Sequence, residues 1–484
     1  LEKQNPGTWI LSGNSTYSGN TTVQDGTLVF KGNNTLAGAT TLNKGSLSYY
    51  GSNSLSGNLD AKLGSVTLYG TNVYGSSAVI TVGNTNGVLR VAPGAALVCA
   101  NTFRIGQASS FGAFYLDGGT FTNSAAGAEL NFNFGCEPSS YGYFLMTGGK
   151  VFAGRLQTGG YMSGTAYGTS VLRVKDGDLY FPDWVMLGRR AGAKSALTLD
   201  GGTFTHTSAN DFAFCRNGGD GDLNLTGGTL NNPDGAITFH NLDTGNGTGV
   251  VNLCAGRLTT MYFYNNSSFA TNGGAYLMFG GGTLAASANQ TAFVPANMSV
   301  YAFGAFGSFA GGAVIDTNGK NITIPAAIRA PTGQGVASIS LTSQGSGYIG
   351  EPYVGIEGNG GGARAVANLA DDGKGKGTFK IASITMTCPG VDYTATPTVT
   401  LRGGGTNLTA AVVGAVALAP NAGGGLTKTG TGTLTLTGTN TYAGATTVSN
   451  GTLRFAAAAS LPVGSGLNVA GGSLDLGGFA RTNG

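Results

Sequence analysis

The sequence predicts an all-β chain: a right-handed parallel β-helix, or β-solenoid, carrying an inserted small β module. Three observations predict it. The first is composition. Gly supplies 87 of 484 residues and charged side chains only 10%, against averages of about 7% and about 25%. With 41% hydrophobic residues the chain can still build a core. Gly and Asn suit turns with positive φ, whereas Thr, Val, Phe and Tyr suit pleated strands. The second is repetition at fixed steps. The third is the low charge itself, because stacked coils bury one side chain in two, and a buried unpaired charge costs several kcal/mol.

The first coils occupy residues 1–70. Gly19, Gly38 and Gly57 are 19 apart, as are Gly26, Gly45 and Gly64, and Leu28, Leu47 and Val66 keep the same step. One unit reads as strand, Gly turn, strand, Gly turn. Residues 71–330 continue with a longer step of 25 to 30. "FYLDGGTF" (114–121), "FLMTGGKV" (144–151), "LTLDGGTF" (197–204), "LNLTGGTL" (223–230) and "VNLCAGRL" (251–258) share one pattern. A second short strand precedes each, for example "FRIG" (103–106), "VMLG" (185–188) and "FAFC" (212–215). Strands at regular steps with short turns fit a parallel β-helix better than a sandwich or propeller. Roughly twelve to fifteen coils at about 4.8 Å would give a rod on the order of 60–70 Å.

Residues 331–418 break this pattern and carry their own duplication. "ISLTSQGSGYIGEPYVGIEGNGG" from Ile339 aligns with "ITMTCPGVDYTATPTVTLRGGG" from Ile384 at an offset of 45. The segment reads as a two-fold β module projecting from the rod. Tyr348 and Tyr393, paired by that offset, are its candidate partner-contact residues, and would be equally at home in its core. The rod resumes over residues 419–484.

The rod's two outer parts match each other. "LEKQNPGTWILSGNSTYSGNTTVQDGTLVF" from Leu1 and "LTKTGTGTLTLTGTNTYAGATTVSNGTLRF" from Leu426 agree at 16 of 30 positions without a gap. This unit resembles the autotransporter-associated β-strand repeat, or passenger-associated transport repeat, over residues 1–66 and from 425 onward. "GAVIDTNGKNITI" (312–324) resembles family sequence that precedes it. The resemblance implies large bacterial surface or secreted proteins with β-helical passenger regions, often followed by a separate membrane barrel, which this sequence does not show. The implied localisation is extracellular or on the bacterial cell surface.

The remaining chemistry is sparse. A net charge of +3 with no basic stripe argues against nucleic acid, and no apolar stretch is long enough for a transmembrane segment. Five cysteines show no metal-binding spacing and read as small buried residues. Asp117 and Asp200, each before "GG", read as turn residues bonding to backbone. Asp220 and Asp222 only approach a Ca²⁺ nonapeptide, and Asp371 and Asp372 sit in a polar turn. His206 and His240 lack triad partners and read as surface or ladder residues. Arg189 and Arg190 read as a solvated turn, and "GNGGGAR" (358–364) lacks what a phosphate loop needs. Asn14, Asn20 and Asn33 head Asn-Xaa-Ser/Thr triplets that read as turns. No catalytic residue, metal ligand or cofactor site is therefore expected, and the chain is expected to be no enzyme. The expected role is structural: a rod that self-associates into a filament, sheath or array. A glycan- or surface-binding adhesin is the alternative, with Tyr49, Tyr50, Tyr115 and Tyr141 as aromatics able to stack sugars.

Overall fold

A computed structural model describes residues 1–107, 109–124, 132–160, 167–240, 246–266, 274–375, 377–406, 408–456 and 460–479. These residues form a parallel β-helix whose coils each lay down strands on three faces. Every strand ladder of the rod among the described residues is parallel, and one 36-stranded sheet wraps most of it. The first face starts at Glu2–Lys3 and Thr21–Val23, and ends in a separate sheet that includes Ile322–Ile324 and Thr433–Leu436. The second runs from Thr8–Leu11 to Ile328–Arg329. The third runs from Thr16–Tyr17 to Leu467–Val469. None of the described residues forms a helix long and apolar enough to cross a membrane.

Alternation along each strand sends every second side chain inward, and in-register parallel pairing puts like on like. Leu28, Leu47, Val66, Leu89, Phe114, Phe144 and Leu172 form one such inward column. All are fully buried. Phe181 stacks on Phe204 with centroids 5.1 Å apart, and Phe214 on Phe239 at the same spacing. Polar ladders run where the column is not apolar. Buried Asn34 donates to Asn53 Oδ1 at 2.6 Å, and Asn53 to Asn72 Oδ1 at 2.9 Å. Gly45 and Gly64 sit at φ +102° and +115°, and a Cβ there would strike the preceding coil's backbone, so the 19-residue step depends on glycine at this corner.

The turn asparagines bind coil to coil. Asn14 and Asn33 accept backbone N–H bonds from Asn33 and Ser52 at 2.8 and 2.7 Å, and Asn20 accepts one from Ala39 at 3.0 Å. Asp117 and Asp200 differ from expectation. They bind side chains of the preceding coil, Arg90 at 3.1 Å and Arg173 at 2.6 Å, because the strand before them offers a cation in reach. Arg189 is buried, with Nη1 2.8 Å from Met186 Sδ, so it is no solvated turn. His206 and His240 are buried in polar ladders, bonded to Asn232 and Asn265. The five cysteines are buried and carry no disulfide.

The duplicated unit keeps its details but not its place. Lys3 and Lys428 are both buried, and both ammonium groups donate to turn carbonyls, Asn5 and Asp25 in one copy, Thr429, Gly430 and Asn450 in the other. Tyr17 bonds Thr21 at 2.6 Å, and Tyr442 bonds Thr446 at 2.6 Å. Yet Glu2–Lys3 lies on the first face and its counterpart Leu426–Thr429 on the third. The chain leaves the second face at Ile328–Arg329 and re-enters the rod after the module on the third, so the unit starts one face away from its first copy.

Residues 331–420 fill the corner between the second and third faces of one coil. Tyr353–Glu357, Arg364–Asp371, Phe379–Cys388 and Thr398–Arg402 form a four-stranded antiparallel sheet, and Gln334–Ser343 pairs with Val412–Pro420. The module does not project, as the sequence reading had it. It folds back and lies along the second face of the earlier coils, because that face offers apolar outward side chains to cover.

Candidate interaction site

On the second face the outward positions change character along the rod. Ser46, Ser48, Ser65 and Thr67 are half-buried hydroxyls. From Val88 onward the same positions hold Ala113, Tyr115, Tyr143, Val171 and Ala196, all buried in one cluster with Ile349 and Tyr353 of the module. Further along, Val250, Met278 and Tyr301 pack against Cys388 and Val391. These strands are covered on both sides, inside by the rod and outside by the module.

Glycines let the module approach closely. A Cβ on Gly350 would enter the Tyr143 ring, one on Gly403 the Tyr141 ring, and one on Gly362 would meet the Met278 methyl. The tyrosines then spend their hydroxyls on module backbone. Tyr115 donates to Ile349 O and Tyr141 to Glu351 O, each at 2.6 Å.

Two buried ion pairs join rod to module within this apolar seal. Arg173 bridges Asp200 of the rod at 2.6 Å and Glu351 of the module at 2.8 Å. Arg364 of the module meets Asp222 of the rod at 2.5 Å, and Tyr353 donates to the same carboxylate at 2.8 Å. Burial raises the pKa of both Asp222 and Glu351 above the ordinary carboxylate range, although Arg364 and Arg173 pull each down. Thr387 donates to Asn224 Oδ1 at 2.8 Å, and Cys254 Sγ lies 2.8 Å from Thr387 O. At the other end Asn86 and Thr406 exchange two bonds of 2.6 and 2.7 Å.

The predicted contact residues fall elsewhere. Tyr348 and Tyr393 are each 2% exposed and belong to the module's own core. Tyr348 lies against Gly404 and accepts the Ala411 N–H at 2.8 Å, and Tyr393 lies against Gly360. A buried ring offers nothing to an external partner, so their duplication marks packing. Of the four tyrosines read as sugar-stacking, Tyr49 is in the rod core and Tyr115 and Tyr141 are under the module. Tyr50 is exposed, stacked on Tyr69 with centroids 4.4 Å apart and planes 9° apart. The sequence reading missed Arg173, Glu351 and Arg364, and weighed Asp222 only against a Ca²⁺ motif. Asp220 and Asp222 are engaged by Lys194 and Arg364. Among the described residues no three His, Cys, Asp or Glu side chains gather as a metal site needs.

The family model described as Passenger-associated-transport-repeat matches residues 1–30, 25–48 and 426–455. The chain carries passenger-associated-transport repeats. They form the rod's first coils and the coils that follow the module. Repeats of this kind occur in autotransporter passenger domains. No match to the chain was found among curated proteins or among solved structures.

Proposed function

We propose that this chain is a non-enzymatic structural element of the bacterial exterior, a rod that associates through coil-to-coil or lateral β contacts into a filament, sheath or surface array. One observation carries the reading. Leu426–Thr429 stacks in register on Ala313–Asp316 although the whole module intervenes, and Thr317 Oγ1 reaches Thr429 O across 112 residues. Stacking of this unit therefore needs matching faces rather than unbroken sequence, and a second copy can offer the same faces. Because the second unit sits one face further round, stacking like on like would turn each copy by one face. Electron microscopy of purified chain at rising concentration tests the reading. Rods that lengthen in steps of one protomer support it, and strictly monodisperse short rods at every concentration contradict it.

A second reading, a glycan- or surface-binding adhesin, is favoured by exposed aromatics on coil exteriors. Tyr50 and Tyr69 form one stack, and Phe152 and Tyr180 another pair at 6.3 Å. Flat exposed rings are the usual apolar surface for a pyranose. A glycan array probed with the intact chain tests this, and no bound glycan would count against it.

A further inference from the structure

We infer that the cleft between the first short coils and the near end of the module binds an anionic saccharide, one whose sugars carry carboxylate groups. The inference rests on the adhesin reading and gives it a place and a ligand class. The cleft has a volume of about 640 Å³, within the range of small-ligand sites, which favour boundaries between domains. It opens where the outward positions of the second face pass from hydroxyls to apolar side chains. Ser46 and Ser65 line the rod side, and Gly347 and Lys374 come from the module.

Lys44, Arg90 and Lys374 are the charged side chains among the described lining residues. The Asp372 carboxylate beside the cleft is already held by the Gly347 and Lys374 N–H groups and the Thr378 hydroxyl. Each cation is anchored from outside or from the side. Lys44 pairs with Asp25 at 2.8 Å, Arg90 with Asp117 at 3.1 Å, and Lys374 donates to Ser346 Oγ at 2.7 Å. An ammonium has three donors and a guanidinium five, so each keeps donors for a ligand. The Arg90 guanidinium also lies 3.9 Å over the Tyr115 ring, which fixes its plane for two-point carboxylate binding. The paired bonds between Asn86 and Thr406 hold the two walls together.

The stacked pair Tyr50 and Tyr69 stands at the far end of the same strands. A sugar chain lying across the coils would meet rings for its apolar faces, serine hydroxyls for its own, and cations for its carboxylates. A neutral saccharide would leave the three cations unused.

Calorimetric titration of the full chain with an oligogalacturonide, beside a maltooligosaccharide of equal length, tests this. The expected result is binding of the uronide alone, weakening as salt rises. The double charge reversal Lys44→Glu with Lys374→Glu, at exposed side chains, should lower that affinity by about tenfold or more through loss of charge-assisted bonds. Unchanged thermal melting would confirm that the variant is folded. Equal binding of both saccharides overturns the inference, as does uronide binding that the double variant retains. In that last case the adhesin reading survives at another site. Absence of binding to any glycan would remove both.

Discussion

The coils of residues 40–75 and those of residues 88–280 share an interior and differ outside. Leu47 and Val66 continue without interruption into Leu89, Phe114 and Phe144. On the opposite parity, Ser46 and Ser65 give way to Val88, Ala113 and Tyr143. The inward parity makes the rod, and the outward parity decides what lies on it. Bare coils meet water with hydroxyls, whereas covered coils meet the module with rings, methyl groups and two buried ion pairs. The comparison predicts that equivalent changes will matter on the covered coils and pass unnoticed on the bare ones.

The largest contrast is expected at the ion pairs. Arg364→Met leaves Asp222 buried with only Tyr353 beside it, and should weaken module docking by about 3–5 kcal/mol, as breaking one side of a buried pair does. Lys44→Met on the bare coils breaks a pair that is largely in water and should leave the thermal melt unchanged. Limited proteolysis of the module, read beside the melt of the rod, separates the two effects.

Glycine substitutions sharpen the same contrast. Gly350→Ala drives a methyl into the Tyr143 ring and should cost about 1–3 kcal/mol through overpacking. Gly19→Ala points into open space and should be close to neutral by chemical denaturation. A smaller effect is expected for Tyr141→Phe. It strands the buried Glu351 carbonyl and should cost about 1–2 kcal/mol, while Tyr50→Phe should cost nothing measurable.

The smallest expected effect is on pH, where the two regions differ in sign. Asp222 and Glu351 have raised pKa values when docked, first through burial. The docked state then binds protons more tightly than an undocked one. Docking should strengthen as pH falls from the raised values toward about 4, and this contribution is absent at neutral pH. Asp25 on the bare coils is lowered by its bonds to Lys44 and the Gly26 N–H, so its contribution is lost as acid protonates it. Module proteolysis rates across acidic pH, compared with rod melting, check the opposed trends.

The rod was legible in the sequence because each coil must place a glycine at the same corner. Gly26, Gly45 and Gly64 announce the step directly. The unit's identity was equally plain, since Lys3, Tyr17 and Thr21 recur as Lys428, Tyr442 and Thr446. The shift of that unit by one face was not legible. It is set by the face on which the chain re-enters the rod after the module, which no local pattern records. Docking was harder still. Arg364 and Asp222 are 142 residues apart, and nothing periodic relates them. A signal did exist in "GAFYL" (112–116) and "YGYFLM" (141–146), which are apolar on both parities, as strands buried on both faces are. The offset pairing Tyr348 with Tyr393 was real, but duplication reports what a fold must keep, and here that is a core.

Thiol labelling tests most directly whether the module is sealed onto the rod. Cys254 and Cys388 lie at the seam, whereas Cys99, Cys136 and Cys215 lie elsewhere in the rod, and all five are buried. Burial raises both seam thiols above their ordinary range, which slows reaction further. In the native chain all five should resist a maleimide. In Arg364→Met, Cys254 and Cys388 should react while the other three stay protected. Rapid labelling of Cys254 and Cys388 in the unmodified native chain would contradict the docked arrangement.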